Sequence, residues 1–520
     1  MRLSLPQSRE LAPALVLALL VGISFFAGLG SGPLFDVDEG AFSEATREML
    51  ASGNYLTTYL NGLPRFDKPI LIYWLQALSV KTFGMNEFAF RFPSAAASGV
   101  WAGAIYLFTR RELGTGTALL ASVFMVLSLQ ITIIAKAAIA DGLLNCCLAL
   151  TMFAVYRHFE TGSAASRYLA FAAAGLGVLT KGPVAVVIPG AVSLLFFLQQ
   201  GMLRQWLKTV LNLPAILLFL AIVMPWYTLE YLDQGMAFIE GFIFRHNVNR
   251  FSSSLEGHSG SILYYVPVVL AGLMPFTGMF FTALLNLKKL LDEPLNRYLG
   301  LWFVFVFVFF SLSGTKLPHY MIYGYTPLFI LMARASQYAR HIRLHALWPA
   351  TFLLLFAALP VLIPVIAPTI DDLYIQAVLR SATELTGITH MLLLASAALA
   401  TAAVTFVPGL STALRAAMTG IIFCLCVNFH LMPVAARLLQ EPVRDAALLS
   451  KARGYKVVMW KVYYPSFLLY SQSFAERRAP LPGEIVLTTV KYLERLDNPD
   501  ILFSRHGIVL LKNNDLKPRR

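Results

Sequence analysis

Apolar runs of about 17 to 22 residues, separated by short polar patches, follow one another through most of this chain. A bilayer core about 30 Å thick takes about 20 apolar residues to cross as a helix, and in lipid the backbone must satisfy its own polar groups. The pattern therefore predicts an α-helical polytopic membrane protein. Composition agrees: 58% of residues are hydrophobic and 13% are charged, where a soluble chain carries about a quarter charged residues.

Thirteen spans fit the pattern, at 12–30, 91–108, 116–134, 142–159, 166–179, 183–199, 211–228, 261–284, 297–313, 319–334, 346–367, 389–407 and 412–432. The first run is long and flanked for spanning, not for cleavage. A net charge of +13 is compatible with nucleic-acid binding, but its distribution argues for a membrane topology without nucleic acid. With the N-terminus in the cytoplasm, about fifteen Lys and Arg fall in inner loops and about six in the short outer ones, as the positive-inside rule requires. The odd count puts the C-terminal tail outside. Cys146, Cys147, Cys424 and Cys426 all lie in apolar runs, which disfavours a disulfide framework or a zinc cluster.

This topology collects the unusual polar residues on one face. The 31–90 loop, Asp141, Lys181, the 229–260 loop and Lys316–Tyr320 are all outer. In the first loop, Glu39 to Ser52 fits a short amphipathic helix with Asp38 near its start, ended by Gly53-Asn54. Ile70 to Phe83 is too short to span and suits a helix lying at the interface. Ser252 to His258 reads as a mobile stretch. From about residue 440 the pattern changes. Segments 454–460, 484–487 and 507–511 read as strands and Thr489–Leu496 as a short helix. The expected division is a membrane catalytic domain, 1–440, with its first outer loop at 31–90, and a small outer α/β domain, 441–520.

Chemistry concentrates in these outer segments. Asp38 and Glu39 form an acidic pair, which at a span end is either solvated charge or a catalytic group. Asp67-Lys68-Pro69 follows in the same loop, where Pro69 blocks helix continuation and fixes two charged heads in irregular chain. Asp141 fits a helix N-cap, but a lone carboxylate at membrane depth is also a functional candidate. His246, between Arg245 and Arg250, is either a surface residue or a metal ligand together with Asp67. Lys316 either snorkels to the interface or joins Lys68, Arg245 and Arg250 around a lipid phosphate. Lys181 is a weaker candidate. A carboxylate-and-cation cavity at the outer bilayer surface suits chemistry on a phosphorylated lipid. An ion or lipid transporter is the competing class, but transporter sites lie near mid-depth, where these spans hold little charge.

The motifs Asp36-x-Asp38-Glu39-Gly40, Arg47-Glu48-Met49-Leu50-Ala51-Ser52-Gly53 and Phe66-Asp67-Lys68-Pro69 resemble those of the bacterial 4-amino-4-deoxy-L-arabinose lipid A transferases. These are GT-C glycosyltransferases related to protein O-mannosyltransferases. Ala140-Asp141-Gly142, His246-Asn247-x-x-Arg250-Phe251 and Lys316-Leu317-Pro318-His319-Tyr320 resemble further outer-loop motifs of that family, and Tyr464-Pro465-Ser466-Phe467 its periplasmic domain. The resemblance implies a GT-C fold in the bacterial inner membrane with its site in the periplasm. The implied reaction is inverting transfer of a sugar from undecaprenyl phosphate to lipid A or another envelope acceptor. It implies catalytic roles for Asp38, Glu39 and Asp141. Lys68, Arg245, Arg250, Lys316 and Tyr320 would bind the donor phosphate. Asp67 and His246 would bind a divalent metal, whether Zn, Mg or Mn. The family's acid is often Glu before two prolines; here it is Asp67 before Lys68-Pro69-Ile70, one methylene shorter. A protein O-glycosyltransferase with the same donor is the enzymatic alternative.

Overall fold

Apolar side chains cover both the packed and the outward faces of the long helices. Trp101, Tyr298 and Trp302 are buried between helices, while Leu107 is 63% and Leu399 71% exposed. A helix that is apolar all round satisfies its backbone internally and offers its outer face to lipid. The chain is thus a predominantly α-helical polytopic membrane protein, and it carries a small β-rich unit near its C-terminal end. The structure, a computed structural model, describes residues 8–249, 260–339, 342–496 and 498–514.

Among the described residues, five helices are long and apolar enough to cross a membrane, or up to eight if each bent pair is one span. Several expected spans are broken. Thr115–Leu127 and Leu129–Lys136 meet at 65°. Tyr265–Gly272 and Thr277–Leu285 turn through 116° around Met274-Pro275, so the run expected as one span at 261–284 is not a single straight helix. Pro275 lacks the N–H that a continuing helix needs. The run 346–367 bends by 58° where Leu347–Ala357 gives way to Leu359–Ile366. The expected 229–260 loop is largely helical: Leu213–Gln234 runs past residue 228, and Met236–Phe238 and Ile239–Asn249 continue it. The stretch 252–258 lies outside the described residues.

The first outer loop folds as its local sequence predicts. Asp38–Ser52 is a helix stopped by Gly53 at φ +73°, and Leu71–Phe83 is a second helix. Between them β1 (Tyr59–Leu60) and β2 (Leu63–Pro64) form a hairpin. Its two turn residues, Asn61 and Gly62, both take positive φ, the geometry that matches strand twist. Glu48 accepts both turn N–H groups, at 2.6 and 3.0 Å. Buried Gln76 ties this loop to the bundle: it accepts from Thr46 and donates to the carbonyls of Phe90 and Ala138.

Near the C-terminal end, β3 (Val457–Met459), β4 (Glu476–Arg477), β5 (Ile485–Thr489), β6 (Asp500–Arg505) and β7 (Ile508–Lys512) make one sheet in the order β4-β3-β5-β7-β6. Strand β3 is parallel to β4 and β5; β7 is antiparallel to β5 and β6. Alternation along β5 and β7 explains its two apolar faces. Leu487, Ile508 and Leu510 meet Val443 and Ala447 of the Glu441–Arg453 helix and Phe467 of the Pro465–Ser471 helix. Val486, Val509 and Leu511 meet Trp460 and Leu496. The short segment Val490–Arg495 is a 3-10 helix, close to the expected one.

This sheet unit is fastened to the first loop. Asn61 exchanges hydrogen bonds with the backbone of Ala475, and Tyr470 accepts from Leu34 N–H and donates to Glu87. The Leu373–Leu385 helix joins the same face through Asp372, 2.6 Å from Lys491. The first loop, the 373–385 segment and the sheet therefore share one side, as the charge-derived topology requires.

Candidate active site

A cavity of about 660 Å³ lies where the first loop, the ends of the bundle helices and the sheet unit meet. Asp38, Asp67, Lys68, Asp141, Arg245, His246 and Tyr320 line it, seven candidates drawn from four separate stretches of sequence. Arg250 lies outside the described residues.

Asp141 opens the Asp141–Thr161 helix but does not cap it. Its Oδ1 accepts from Lys181 Nζ at 2.7 Å and from Tyr323 Oη at 2.7 Å, with His319 Nε2 at 4.0 Å. Two helix ends meet here in the favourable sense. The carboxylate sits at a helix N-terminus, and Lys181 is the last residue of Ala164–Lys181. Gly142 is needed beside it, because a Cβ there would press on the hydroxyls of Ser94 and Ser98. The ammonium of Lys181 also lies 5.8 and 5.4 Å from the ring centres of Tyr320 and Tyr323.

Asp67 is held on both oxygens. Its Oδ2 is 3.2 Å from Arg65 Nε and its Oδ1 is 2.9 Å from His246 Nε2. Burial alone would raise this carboxyl; Arg65, the His246 hydrogen bond and Lys68 together outweigh it and hold Asp67 below the usual carboxylate range. Asp38 differs. It is exposed to the cavity at the first turn of its helix, and among the described residues its carboxylate has no hydrogen bond or ion pair.

Two candidates do not join this constellation. Glu39 is buried, 5% exposed, and turned away from the cavity. It takes a bidentate contact from Arg91 at 2.8 and 2.9 Å and accepts the N–H groups of Phe35 and Ala138. Arg91 spends its other N–H groups on the carbonyls of Leu29, Gly32 and Pro33. Adjacent residues on a helix point about 100° apart, so one acid faces the site while the next faces the bundle. Lys316 is also buried; its Nζ donates to the carbonyls of Ser311 and Ser313 at 3.1 and 2.6 Å instead of entering the cavity.

Residues that the sequence reading gave no role of their own complete the wall. Arg65 is buried against the cavity, and its Nη1 has no hydrogen-bond partner among the described residues. His319 stands beside Tyr320. Tyr463 and Arg477 come from the sheet unit, the guanidinium 4.0 Å above the tyrosine ring centre. On the bundle side a second cavity of about 300 Å³ shares Asp67, Lys68, Lys181, His246 and Tyr320 with the first. Val184, Val187, Ile243, Phe309 and Phe310 make its walls mainly apolar. A charged chamber thus opens onto a greasy groove, the shape an anionic headgroup with a hydrocarbon tail would occupy.

The sheet unit is clamped to the site entrance by Asp36. Its Oδ1 accepts Ser466 N–H at 2.8 Å, and its Oδ2 accepts the Ser466 hydroxyl. Gly40 has to be glycine, since a Cβ would collide with both Asp36 and the Ser466 backbone. Burial raises the Asp36 carboxyl from 3.8 to about 7; the Ser466 hydrogen bonds counter this only in part, and Glu39 adds to the rise. The folded protein therefore keeps a proton that the unfolded chain has released. The stability this contributes is complete below about pH 4 and is lost as pH rises through about 7. Asp36→Asn cannot titrate and should flatten the fall in thermal stability between about pH 4 and about pH 7. Melting curves of the two detergent-purified proteins across that range check it; an identical slope in the variant would assign the effect to another group.

Residues 67–228 match the family described as dolichyl-phosphate-mannose-protein mannosyltransferase. The chain is 32% identical over 331 residues to an uncharacterized protein of Aquifex aeolicus (strain VF5), covering 62% of this chain and 74% of that one. It is 31% identical over 347 residues to undecaprenyl phosphate-alpha-4-amino-4-deoxy-L-arabinose arabinosyl transferase 2 of Proteus mirabilis (strain HI4320), covering 64% and 61%. The fold is similar to that of ArnT from Cupriavidus metallidurans bound to undecaprenyl phosphate, with a TM-score of 0.80 at 19% identity over 97% of this chain and 99% of that one. The chain has an ArnT-like fold and is related in sequence to the arabinosyl transferases. It spans about three fifths of the length of the Proteus transferase it matches. The ArnT-like fold nevertheless extends over nearly the whole chain, sheet unit included.

Proposed function

We propose that this protein is an inverting glycosyltransferase. In this reading it moves a sugar, 4-amino-4-deoxy-L-arabinose, from undecaprenyl phosphate to a phosphate of lipid A on the periplasmic face of the inner membrane. The observation that carries the reading is the junction of the charged chamber with the apolar groove, at the outer ends of the bundle helices. A polyprenyl tail suits the groove, and its phosphate would meet Lys68 and Lys181 at the junction. The arabinosyl transferase of Proteus mirabilis and the undecaprenyl phosphate bound by the Cupriavidus ArnT support the choice of sugar and donor.

In such a transfer the bond from the anomeric carbon to the donor phosphate breaks as an acceptor oxygen attacks from the opposite face. Undecaprenyl phosphate leaves with the bonding electrons. Arg65, Lys68 and Lys181 line the chamber and would neutralise that leaving group, since fixed charges of this kind act most strongly away from bulk water. A lipid A phosphate is already anionic and needs no base. Asp38 then orients the acceptor sugar and steadies positive charge at the anomeric carbon. For a hydroxyl acceptor the same carboxylate is the base. Asp141 acts by holding Lys181 and Tyr323 in place, and Tyr320 walls the phosphate pocket. Arg245 lines the same chamber and would serve the donor phosphate too.

A divalent ion fits Asp67 and His246 only as a partial site. Their donor atoms are 2.9 Å apart and can face one ion, while Arg65 holds the other Asp67 oxygen. Among the described residues no third His, Cys, Asp or Glu joins them. An ion here would complete its shell from phosphate or water and supply Lewis-acid neutralisation of the leaving group. The same reading takes thirteen spans, a catalytic membrane domain at 1–440 and a periplasmic domain at 441–520. The match to the mannosyltransferase family favours one second reading, transfer to protein hydroxyls.

Mass spectrometry of lipid A from cells with the protein and cells without it separates the two. A phosphate-linked pentosamine only where the protein is present supports the proposal. Unmodified lipid A with newly glycosylated envelope proteins would transfer the case to the second reading.

A further inference from the structure

The chamber has a third opening. A cleft of about 610 Å³ runs along the edge of the sheet unit and shares Tyr463 and Arg477 with the chamber. Its character is cationic. Lys461 lines it at the turn after β3, with φ +59°, a conformation that non-glycine side chains seldom take. Arg477 lies at the mouth between cleft and chamber, its guanidinium set over Tyr463. The neighbouring Arg478 is already neutralised by Glu476 and Glu484. Among the described residues no carboxylate pairs with Arg477 or Lys461, although both are exposed.

Two exposed cations without counter-ions, beside an aromatic ring and leading to Asp38, form an approach path for an anion. The apolar groove reaches the chamber from the bundle, and this cleft reaches it from the sheet unit. A single displacement needs donor and acceptor to arrive from different directions. We propose that Lys461, Tyr463 and Arg477 form the acceptor subsite, which takes the phosphorylated sugar headgroup of an acceptor lipid and delivers it to Asp38. Arg477 offers the phosphate a paired contact, Tyr463 a face for the sugar ring, and Lys461 a second charge farther out. The assignment of acceptor class rests on the proposed transferase reading.

The test uses the full chain in lipid bicelles with two probes, lipid A and dephosphorylated lipid A, measured for binding and separately for transfer from undecaprenyl-phosphate-linked sugar. Wild type should bind the phosphorylated form more tightly. Arg477→Ala should raise the acceptor Kd and KM roughly tenfold to a hundredfold for the phosphorylated form alone, with donor KM unmoved. Arg477→Lys should recover part of the loss. Lys461→Ala, at an exposed turn, should give a smaller change in the same direction. Equal binding of phosphorylated lipid A by wild type and both alanine variants would overturn the subsite. So would a parallel loss of donor and acceptor affinity, which marks a purely structural role. Phosphate-dependent binding that Arg477→Ala weakens, with no transfer by wild type, would support the subsite and refute the transferase reading.

Discussion

Asp38→Asn should abolish sugar transfer, lowering turnover on the order of 10³-fold while leaving the fold intact. Asp38 is the cavity carboxylate without a hydrogen bond or ion pair among the described residues, so its removal orphans nothing. Asn keeps the shape and loses the charge. Asp67 and Asp141 are committed to Arg65, His246, Lys181 and Tyr323; their loss would disturb those partners as well as the reaction. Asp38→Asn is therefore the cleaner probe. The measurement is single-turnover transfer from labelled donor, with size-exclusion profile and melting temperature as controls. Full turnover in a well-folded variant would mean that the reacting carbon sits elsewhere in the chamber.

Glu39→Ala should act on stability. It leaves the five-bonded Arg91 guanidinium buried without a counter-charge. Removing one partner of a buried pair costs roughly 3–5 kcal/mol, because the remaining charge cannot regain its water. The first loop would also lose its anchor at Phe35 and Ala138. The measurement is the melting temperature and monodispersity of the purified protein. A double variant, Glu39→Gln with Arg91→Met, should regain part of the loss, since it removes both charges. A Glu39→Ala protein with wild-type stability and no transfer would instead restore Glu39 to the chemistry.

The contrast between Asp38 and Glu39 marks how far sequence reading reaches. Two adjacent acids look alike in a string; only the helix phase and the position of Arg91 separate them. Arg91 itself reads as the basic edge of a span, since nothing local announces a buried ion pair with the preceding loop. The helix at 38–52, its stop at Gly53 and three of the five later strands, though not Glu476–Arg477 and Asp500–Arg505, were legible because they rest on local rules of capping, glycine φ and alternation. So was the meeting of Asp67, Lys68, Asp141, His246 and Tyr320, which follows from counting sides of a membrane. Lys316 was not, because a long flexible side chain near carbonyls can curl back as readily as it reaches out. Glu476-Arg477-Arg478 reads as solvated charge until the β3–β4 pairing puts Arg477 over Tyr463 and turns Arg478 to Glu484. An apolar window encodes neither the bend at Ser128 nor the one at Met274-Pro275, because it counts Pro275 as one more apolar residue.

The sheet unit that supplies Tyr463 and Arg477 follows the bundle helices in the chain and so is synthesised after them. Asp38 and its loop emerge first, and the wall that faces them is added when nearly all the bundle has been made. The chamber thus stays unfinished throughout insertion. A half-built protein would hold Asp38 in open water, without the wall that Tyr463 and Arg477 supply. Closure by Asp36 and Ser466 then joins the two halves of the chamber only after the sheet unit has been made.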